Sequence, residues 1–419
     1  MDVRKSALFA ALFLVISSCQ KNRPVDNVLE SKQFSLSEKP CAQQRIENKF
    51  LVQWKDGTVE AMTASDYESF KKDFVEPNLD QLKRVEFDRV IHLSQPDSSS
   101  TSVAGFSQDW GQKSISADAA WSAGITGQGI TVGVVDTWVD PSHPQLKNQF
   151  AVNTGEIPDN GIDDDNNGYI DDYYGGAFYT EATPPPGQKN PIPLHGTHVS
   201  GIIAADPAAG SIKGLAYNAK IIEAAFLNSQ GSGSFSDASR ALDYMMARHV
   251  KIINASWGGP DCSKIMYDKF QEVANAGILM VVAAGNDHVD IGQVLESPAS
   301  FNIFNQITVA ANTPYDLLTT FSNYSTLLTH LTAPGENIFS TVPVSAYPNG
   351  IASMSGTSMA APFVTGAAAL VWSARPQATM QQVRNALLKS VDTSDVLPLV
   401  TKGRLNIQRA IAEIKNSIP

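Results

Sequence analysis

Residues 130–140 read "ITVGVVDTWVD", a short apolar run that ends at Asp136. Both alternating sets of positions are apolar, which suits a strand buried on its two faces, as in a parallel sheet. The pattern recurs in "KIIEAAF" (220–226), "KIINAS" (251–256), "GILMVVAA" (277–284) and "QITVAA" (306–311). Between these runs lie segments of helical length, such as "SDASRALDYMMARH" (236–249) and "CSKIMYDKFQEVANA" (262–276). Strands alternating with helices predict an α/β fold: a mostly parallel sheet with helices on both faces, a three-layer sandwich. "APFVTGAAALVWSA" (361–374) reads as a central helix of small residues, and "GRLNIQRAIAEI" (403–414) as the closing helix. Folds of this class place their chemistry at the carboxyl ends of the strands. Asp136 stands at such an end, although a lone aspartate there also reads as a loop or capping residue.

The rest of the 419 residues divides by composition. Arg4 and Lys5 precede "ALFAALFLVISS" (7–18), which is too short to cross a bilayer as a stable helix and stops directly before Cys19. The pattern resembles a bacterial lipobox. It gives residues 1–18 as a signal peptide and Cys19 as the lipidation site, with an ordinary secretory leader as the alternative. Either predicts export. Residues 19–40 read as a polar tether. In 41–93, "RIENKFLVQWKDG" (45–57) reads as a strand and turn, and "TASDYESFKKDF" (63–74) as a helix capped by Thr63 or Ser65. "VEFDRVIHL" (85–93) reads as a second strand, so this is a small α+β domain. "SQPDSSSTSVAG", within 94–107, is a linker, and 108–419 forms the main domain. Export permits a bridge between Cys41 and Cys262, but they lie far apart, and two unpaired cysteines is the simpler expectation. Against 31 basic residues stand 42 acidic ones, a net charge of −11 with no basic run, so nucleic acid is not an expected partner.

Two further stretches carry candidate chemistry. "HGTHVSG" (195–201) holds His195 and His198 three residues apart. A zinc helix places its histidines four apart with a glutamate between, so metal ligation is the weaker reading. "MSGTSMAAPFVTG" (354–366) puts Ser358 at the start of the small-residue helix. Backbone N–H groups and the positive helix end there suit an oxyanion, although the same serine also reads as a plain N-cap.

Taken together, "VVDTWVD", "HGTHVSGIIAA" and "SGTSMAAPFVTGAAAL" resemble the three catalytic motifs of the subtilisin-like serine proteases, with "NASWGG" and "VVAAGN" matching two more segments. The resemblance runs from about Trp110 to Ile411. It implies a serine endopeptidase in which Ser358 is the nucleophile, His195 the general base and Asp136 its orienting partner. Asn286 then corresponds to the oxyanion-hole asparagine, and His198 to a structural neighbour. Ser256, Trp257, Gly258 and Gly259 correspond to the backbone edge that pairs with extended protein or peptide substrates. The 41–93 domain resembles the propeptide that assists folding and inhibits the nascent enzyme, a permanent tether domain being the alternative. No catalytic cofactor is implied, and a monomer is expected. The rivals are a silent scaffold with this fold and a metallopeptidase.

Several positions depart from the pattern. Trp138 stands where the family usually has glycine. Gln145, in "SHPQL" (142–146), stands where many relatives carry a calcium-binding aspartate. A separate acidic loop, "NGIDDDNNGYIDD" (160–172), spaces Asp163, Asp165 and Asn167 as a calcium loop does. Its closing glutamate is missing, and Asp171 or Asp172 substitutes. A structural calcium ion held by Asp163, Asp165, Asn167 and Asp171 is the expectation, a solvated acidic turn the alternative. Glu296, two residues before Pro298, lies where relatives form the base of the primary specificity pocket. A carboxylate there would favour a basic residue before the scissile bond, yet no lysine or arginine lies between Arg89 and Lys113.

Overall fold

The computed structural model describes residues 45–93, 107–179, 194–228, 230–260 and 263–417. The signal peptide, Cys19, the tether, Cys41, Cys262 and nearly all of the 94–107 linker lie outside the described residues.

The apolar runs become strands of one sheet: β4 (Thr131–Asp136), β5 (Gly175–Ala177), β6 (Lys220–Ala225), β8 (Ile252–Ala255), β10 (Leu279–Ala283), β12 (Gln306–Asn312) and β13 (Leu331–Pro334). Two short strands near the carboxyl end, β16 (Asp392–Thr393) and β17 (Gly403–Arg404), complete the order β16-β17-β13-β12-β10-β8-β4-β6-β5. All neighbours are parallel except β16 and β17. Alternate side chains leave the sheet on opposite faces. Val132, Val134, Ile252 and Val281 face one apolar cluster, and Val135, Ile253, Met280 and Val282 face the other. The first cluster is covered by helices α5 (Leu194–Ala204), α8 (Thr357–Ala374), α9 (Met380–Lys389) and α10 (Ile407–Asn416). The second is covered by α6 (Phe235–Ala247) and α7 (Lys264–Asn275). This is the expected three-layer sandwich. Helix α8 is long and apolar enough to cross a membrane, but 89% of it is buried, so it is the core helix of this domain.

Strand β4 has β6 on one side and β8 on the other. The chain leaves β4 for one half of the sheet and then returns to build the other half. That reversal opens a crevice at the carboxyl end of β4, where Asp136 sits.

The N-terminal domain contains β1 (Arg45–Trp54), β2 (Val59–Thr63), a helical segment and β3 (Leu82–His92). Its second strand was not read from the sequence. The helical segment starts with α1 (Tyr67–Phe70), passes through a π turn (Lys71–Val75) and ends in α2 (Glu76–Asn78). The expected caps Thr63 and Ser65 do not cap it. Asp66 does, its carboxylate accepting from Ser69 N at 2.8 Å. Thr63 is instead the last residue of β2. Phe50, Phe70, Val75, Val85 and Phe87 form the domain's core, with the Phe50 and Phe70 rings stacked at 4.1 Å.

The two domains share a sheet. Strand β7 (Ser232–Ser234) of the main domain pairs antiparallel with β3, with Val90 opposite Ser234 and His92 opposite Ser232. Two acids of β3 also meet helix starts, where backbone N–H groups lack helical partners. Glu86 accepts from Lys264 N and Ile265 N at the start of α7 and from the Ser263 hydroxyl at 2.7 Å. Asp88 accepts from Ser236 N and its hydroxyl at the start of α6 and pairs with Lys49 at 3.0 Å. Glu86 is fully buried, and that burial pushes its carboxyl up to about 7 despite its hydrogen bonds.

Candidate active site

Asp136 ends β4, and His195 is the second residue of α5. Helix α5 reaches the strand end because residue 196 is glycine. A Cβ there would collide with the Thr137 carbonyl oxygen. The Gly196 N–H instead donates to Thr137 Oγ1 at 2.9 Å. His195 Nδ1 lies 2.7 Å from Asp136 Oδ1, with both side chains buried. The same oxygen accepts from Thr137 N at 2.7 Å, so the carboxylate is fixed from two sides. His195 Nε2 has no hydrogen-bond partner.

Ser358 is in the first turn of α8, which packs along α5. Its hydroxyl donates to the Ser256 carbonyl at 3.1 Å. The hydrogen bond from Ser358 to His195 is therefore not formed in this conformation; such contacts often close only around a substrate. Asn286 lies beside the same helix start. Its Oδ1 accepts from Thr357 N and Thr357 Oγ1, both at 2.9 Å. This pins the carbonyl end and turns Nδ2 towards Gly356, where a Cβ would approach it to 3.4 Å.

The second histidine has a different environment. His198 is fully buried, with Nε2 at 3.0 Å from the Ile338 carbonyl and 3.3 Å from the Ala352 carbonyl. Those acceptors require Nε2 to carry its proton. Burial, reinforced by His195, holds the ring's pKa down to about 3. His198 is a neutral tie between α5 and the hairpin β14 (Ile338–Thr341)–β15 (Ile351–Met354), not a metal ligand.

Ser256–Gly259 follows β8. Gly258 N lies 3.4 Å from the His92 carbonyl, and the two residues form an antiparallel bridge. On the opposite wall Leu93 N donates to Gly231 O at 2.8 Å. The end of β3 therefore runs as an extended strand between two backbone edges of the main domain. The Trp257 side chain takes no part in that edge. It is 1% exposed, with Nε1 bonded to the Val135 carbonyl at 2.8 Å, so this residue offers the cleft only its backbone. Glu296, with Ser297, forms β11, which pairs with β9 (Gly259–Pro260) next to the cleft. Trp138 is half-buried, and nothing in the structure explains its replacement of glycine.

Glu223 was not singled out by sequence. It faces the same side of the sheet as Asp136 and accepts from Val139 N in the turn beyond it. Burial raises its carboxyl well above the usual range, and the Asp136 charge adds to this. Its strand "KIIEAAF" reads as apolar, and the one acid in it was the available signal.

Two regions bear on metal binding, and at the first the structure agrees with the doubt raised by Gln145. At the first, Gln145 is 3% exposed. Its Nε2 donates to the carbonyls of Asp206 (2.8 Å) and Ile212 (2.6 Å), and its Oε1 accepts from Ile212 N (3.3 Å). An amide thus meets loop carbonyls that face inward. In the acidic loop, the four expected ligands do not converge. Asp163 caps Asn167 N and Gly168 N, while Asp171 caps Asn160 N and Gly161 N. Asn167 turns its amide nitrogen, not its oxygen, towards Asp165 and Asp172. The carboxylates that come together are Glu156, Asp165 and Asp172.

A model of the subtilase family matches residues 127–409. The chain is 30% identical over 352 residues to the "Alkaline protease" of Alkalihalobacillus alcalophilus, covering 84% of this chain and 82% of that one. It is 36% identical over 264 residues to the "Major intracellular serine protease" of Bacillus subtilis (strain 168), covering 62% and 74%. It is 32% identical over 306 residues to "Subtilisin-like protease 1" of Plasmodium vivax, covering 66% of this chain but only 46% of that relative. The family match spans more than half of the 419 residues, and the chain belongs to the subtilase family.

Proposed function

We propose that the protein is an exported serine endopeptidase that hydrolyses peptide bonds through Asp136, His195 and Ser358. The observation that carries this reading is the buried Asp136–His195 hydrogen bond, which leaves Nε2 unengaged. Asp136 fixes the tautomer with the proton on Nδ1, so Nε2 has a lone pair for the Ser358 hydroxyl proton. Ser358 Oγ rotates away from the Ser256 carbonyl and attacks the scissile carbonyl carbon. The oxyanion that forms accepts hydrogen bonds from Asn286 Nδ2 and from Ser358 N, whose N–H lies in the helix's first turn. The imidazolium then returns its proton to the leaving amine. Water, deprotonated by the same nitrogen, releases the acyl group. Subtilases need no catalytic cofactor for this chemistry.

The N-terminal domain is assigned as an intramolecular inhibitor. Its last strand pairs with β7 and Gly258, as an extended substrate would. Cleavage within 94–107 would leave the Cys19 anchor on the N-terminal part and free the main domain from the membrane. The test compares wild type with Ser358→Ala by intact mass and casein hydrolysis. Wild type should lose its N-terminal region and digest casein. The variant should stay full length and lose on the order of 10⁶ in turnover. A variant that still digests casein would exclude Ser358 as nucleophile.

A further inference from the structure

We propose that Glu223 is a positioning residue for the hydrolysis: as a protonated acid on β6, it holds the turn that orients Asp136 and His195. This rests on the serine endopeptidase reading above. Strand β6 lies between β4 and β5, with Glu223 opposite Val134 on one side and Gly175 on the other. Asp136, two residues beyond Val134, leaves the same face of the sheet. The turn 137–140 that follows it is tied on several sides. Thr137 N donates to Asp136 Oδ1 at 2.7 Å, and Thr137 Oγ1 accepts from Gly196 N, next to His195, at 2.9 Å. Asp140 N donates to Thr197 Oγ1 at 3.0 Å. Val139 N donates to Glu223 Oε1, and of these ties only this one anchors the turn to a neighbouring strand. Val139 and Glu223 are both fully buried, so removing the carboxyl leaves that N–H unpaired away from solvent.

The surroundings decide where the proton sits. Asp136 Oδ1 accepts from two N–H groups, one of them the imidazole, as a carboxylate does. Glu223 accepts one N–H, and its other oxygen, Oε2, is buried with no hydrogen-bond partner. Asp136 Oδ2 is likewise buried and unpartnered. The titratable groups around Glu223 are Asp136 on β4, Tyr179 after β5 and, across Asp136, His195 on α5. None of them is a standing cation. Two negative charges in one dry site repel each other, and the acid with fewer donors keeps its proton. Burial, with the Asp136 charge second, raises the Glu223 carboxyl in the same direction. The benefit falls to His195. A second negative charge beside Asp136 would favour the imidazolium over the free base that takes the Ser358 proton. A neutral acid holds the turn without adding that charge.

The test measures peptide hydrolysis across pH for wild type, Glu223→Ala and Glu223→Gln, each expressed as the full chain. Titration with a serine-directed phosphonate counts the competent sites. Glu223→Ala should lower kcat roughly 10–100-fold with KM changed by less than about threefold. Glu223→Gln keeps an oxygen for Val139 N and cannot ionise. It should bring kcat back to within about threefold of wild type and leave the acid limb of kcat/KM in place. The infrared difference spectrum, wild type minus Glu223→Gln, should show the carbonyl stretch of a protonated carboxylic acid at neutral pH. Where Glu223→Ala does not fold, Glu223→Asp withdraws the carboxyl by one methylene and should show the same loss of kcat. Active wild type with kcat unchanged in Glu223→Ala overturns this proposal alone. An acid limb lowered by about one pH unit in Glu223→Gln, with no acid stretch in the difference spectrum, shows a charged Glu223 and also overturns it. Wild type without peptidase activity overturns the endopeptidase reading, and this proposal with it.

Discussion

The loop around Gln145 and the loop around Glu156 both turn oxygens inward, and they satisfy them differently. At Gln145 the oxygens are backbone carbonyls, and a side-chain amide donates to two of them. At Glu156 the oxygens are carboxylates in excess of their donors, and one is buried without a partner. The first loop is complete within the chain. The second leaves that oxygen without a partner among the described residues. Two more buried acids widen the contrast: Glu86 is met by a helix start, and Glu223 by the Val139 N–H in the turn beyond β4. A side-chain amide, a helix end and a single turn N–H are three answers to one problem, and each leaves a different experimental signature.

The largest effect should come from breaking the self-contained loop. Gln145→Ala leaves the carbonyls of Asp206 and Ile212 without that donor inside the fold. This should cost about 2–4 kcal/mol, with a drop in Tm that added calcium does not reverse. A variant melting within about a degree of wild type would show that the amide is dispensable. Next in size is the helix-end answer. Glu86 is raised to about 7 when the domains are docked, against an ordinary value of 4.5 once exposed. The docked form then holds the extra proton, so docking is strongest below 4.5. It weakens as pH rises through about 7, by at most about tenfold per pH unit. Gel filtration of the cleaved chain at pH 5 and pH 8 should show the difference, and Glu86→Gln should remove most of it. A pH-independent wild type would mean that Glu86 stays ionised in the docked form. The smallest effect belongs to Glu223→Gln. A glutamine oxygen still accepts from Val139 N, so the change at neutral pH should stay within about 1 kcal/mol. Because the folded Glu223 carboxyl is raised, wild-type stability falls as pH climbs above the ordinary carboxyl value of 4.5. The glutamine variant should lack that part of the slope in thermal melts across pH.

The strands and helices that carry the candidate site were legible because their signals are local. Apolar runs mark the sheet, and Asp136, His195 and Ser358, each with a glycine within three residues, mark the element ends. What was missed depends on contacts between distant segments. The acidic loop spells a calcium pattern in its own spacing, but Asp163 and Asp171 cap nearby N–H groups. Glu156 and Asp172 join Asp165 from outside that spacing, and Asp172 is held by residues of α6. Trp257 sits in a motif that resembles a substrate edge, yet its side chain belongs to the core, a distinction that a motif does not encode. Nothing adjacent to Glu86 or Asp88 announces that helix starts 148 and 178 residues away lie against them.

Under the proposed inhibitor role of the N-terminal domain, the seam between β3 and β7 has a kinetic consequence. Severing the chain between Leu93 and Trp110 alters none of the backbone pairs from Val90 to His92. What changes is concentration. While joined, the strand meets its groove at the millimolar effective concentration typical of a short linker. Once cut, the same strand competes at whatever concentration the surroundings hold, and dilution alone empties the groove. Activation would then depend on volume and diffusion as much as on affinity, and crowded or enclosed enzyme would switch on later than enzyme free to disperse.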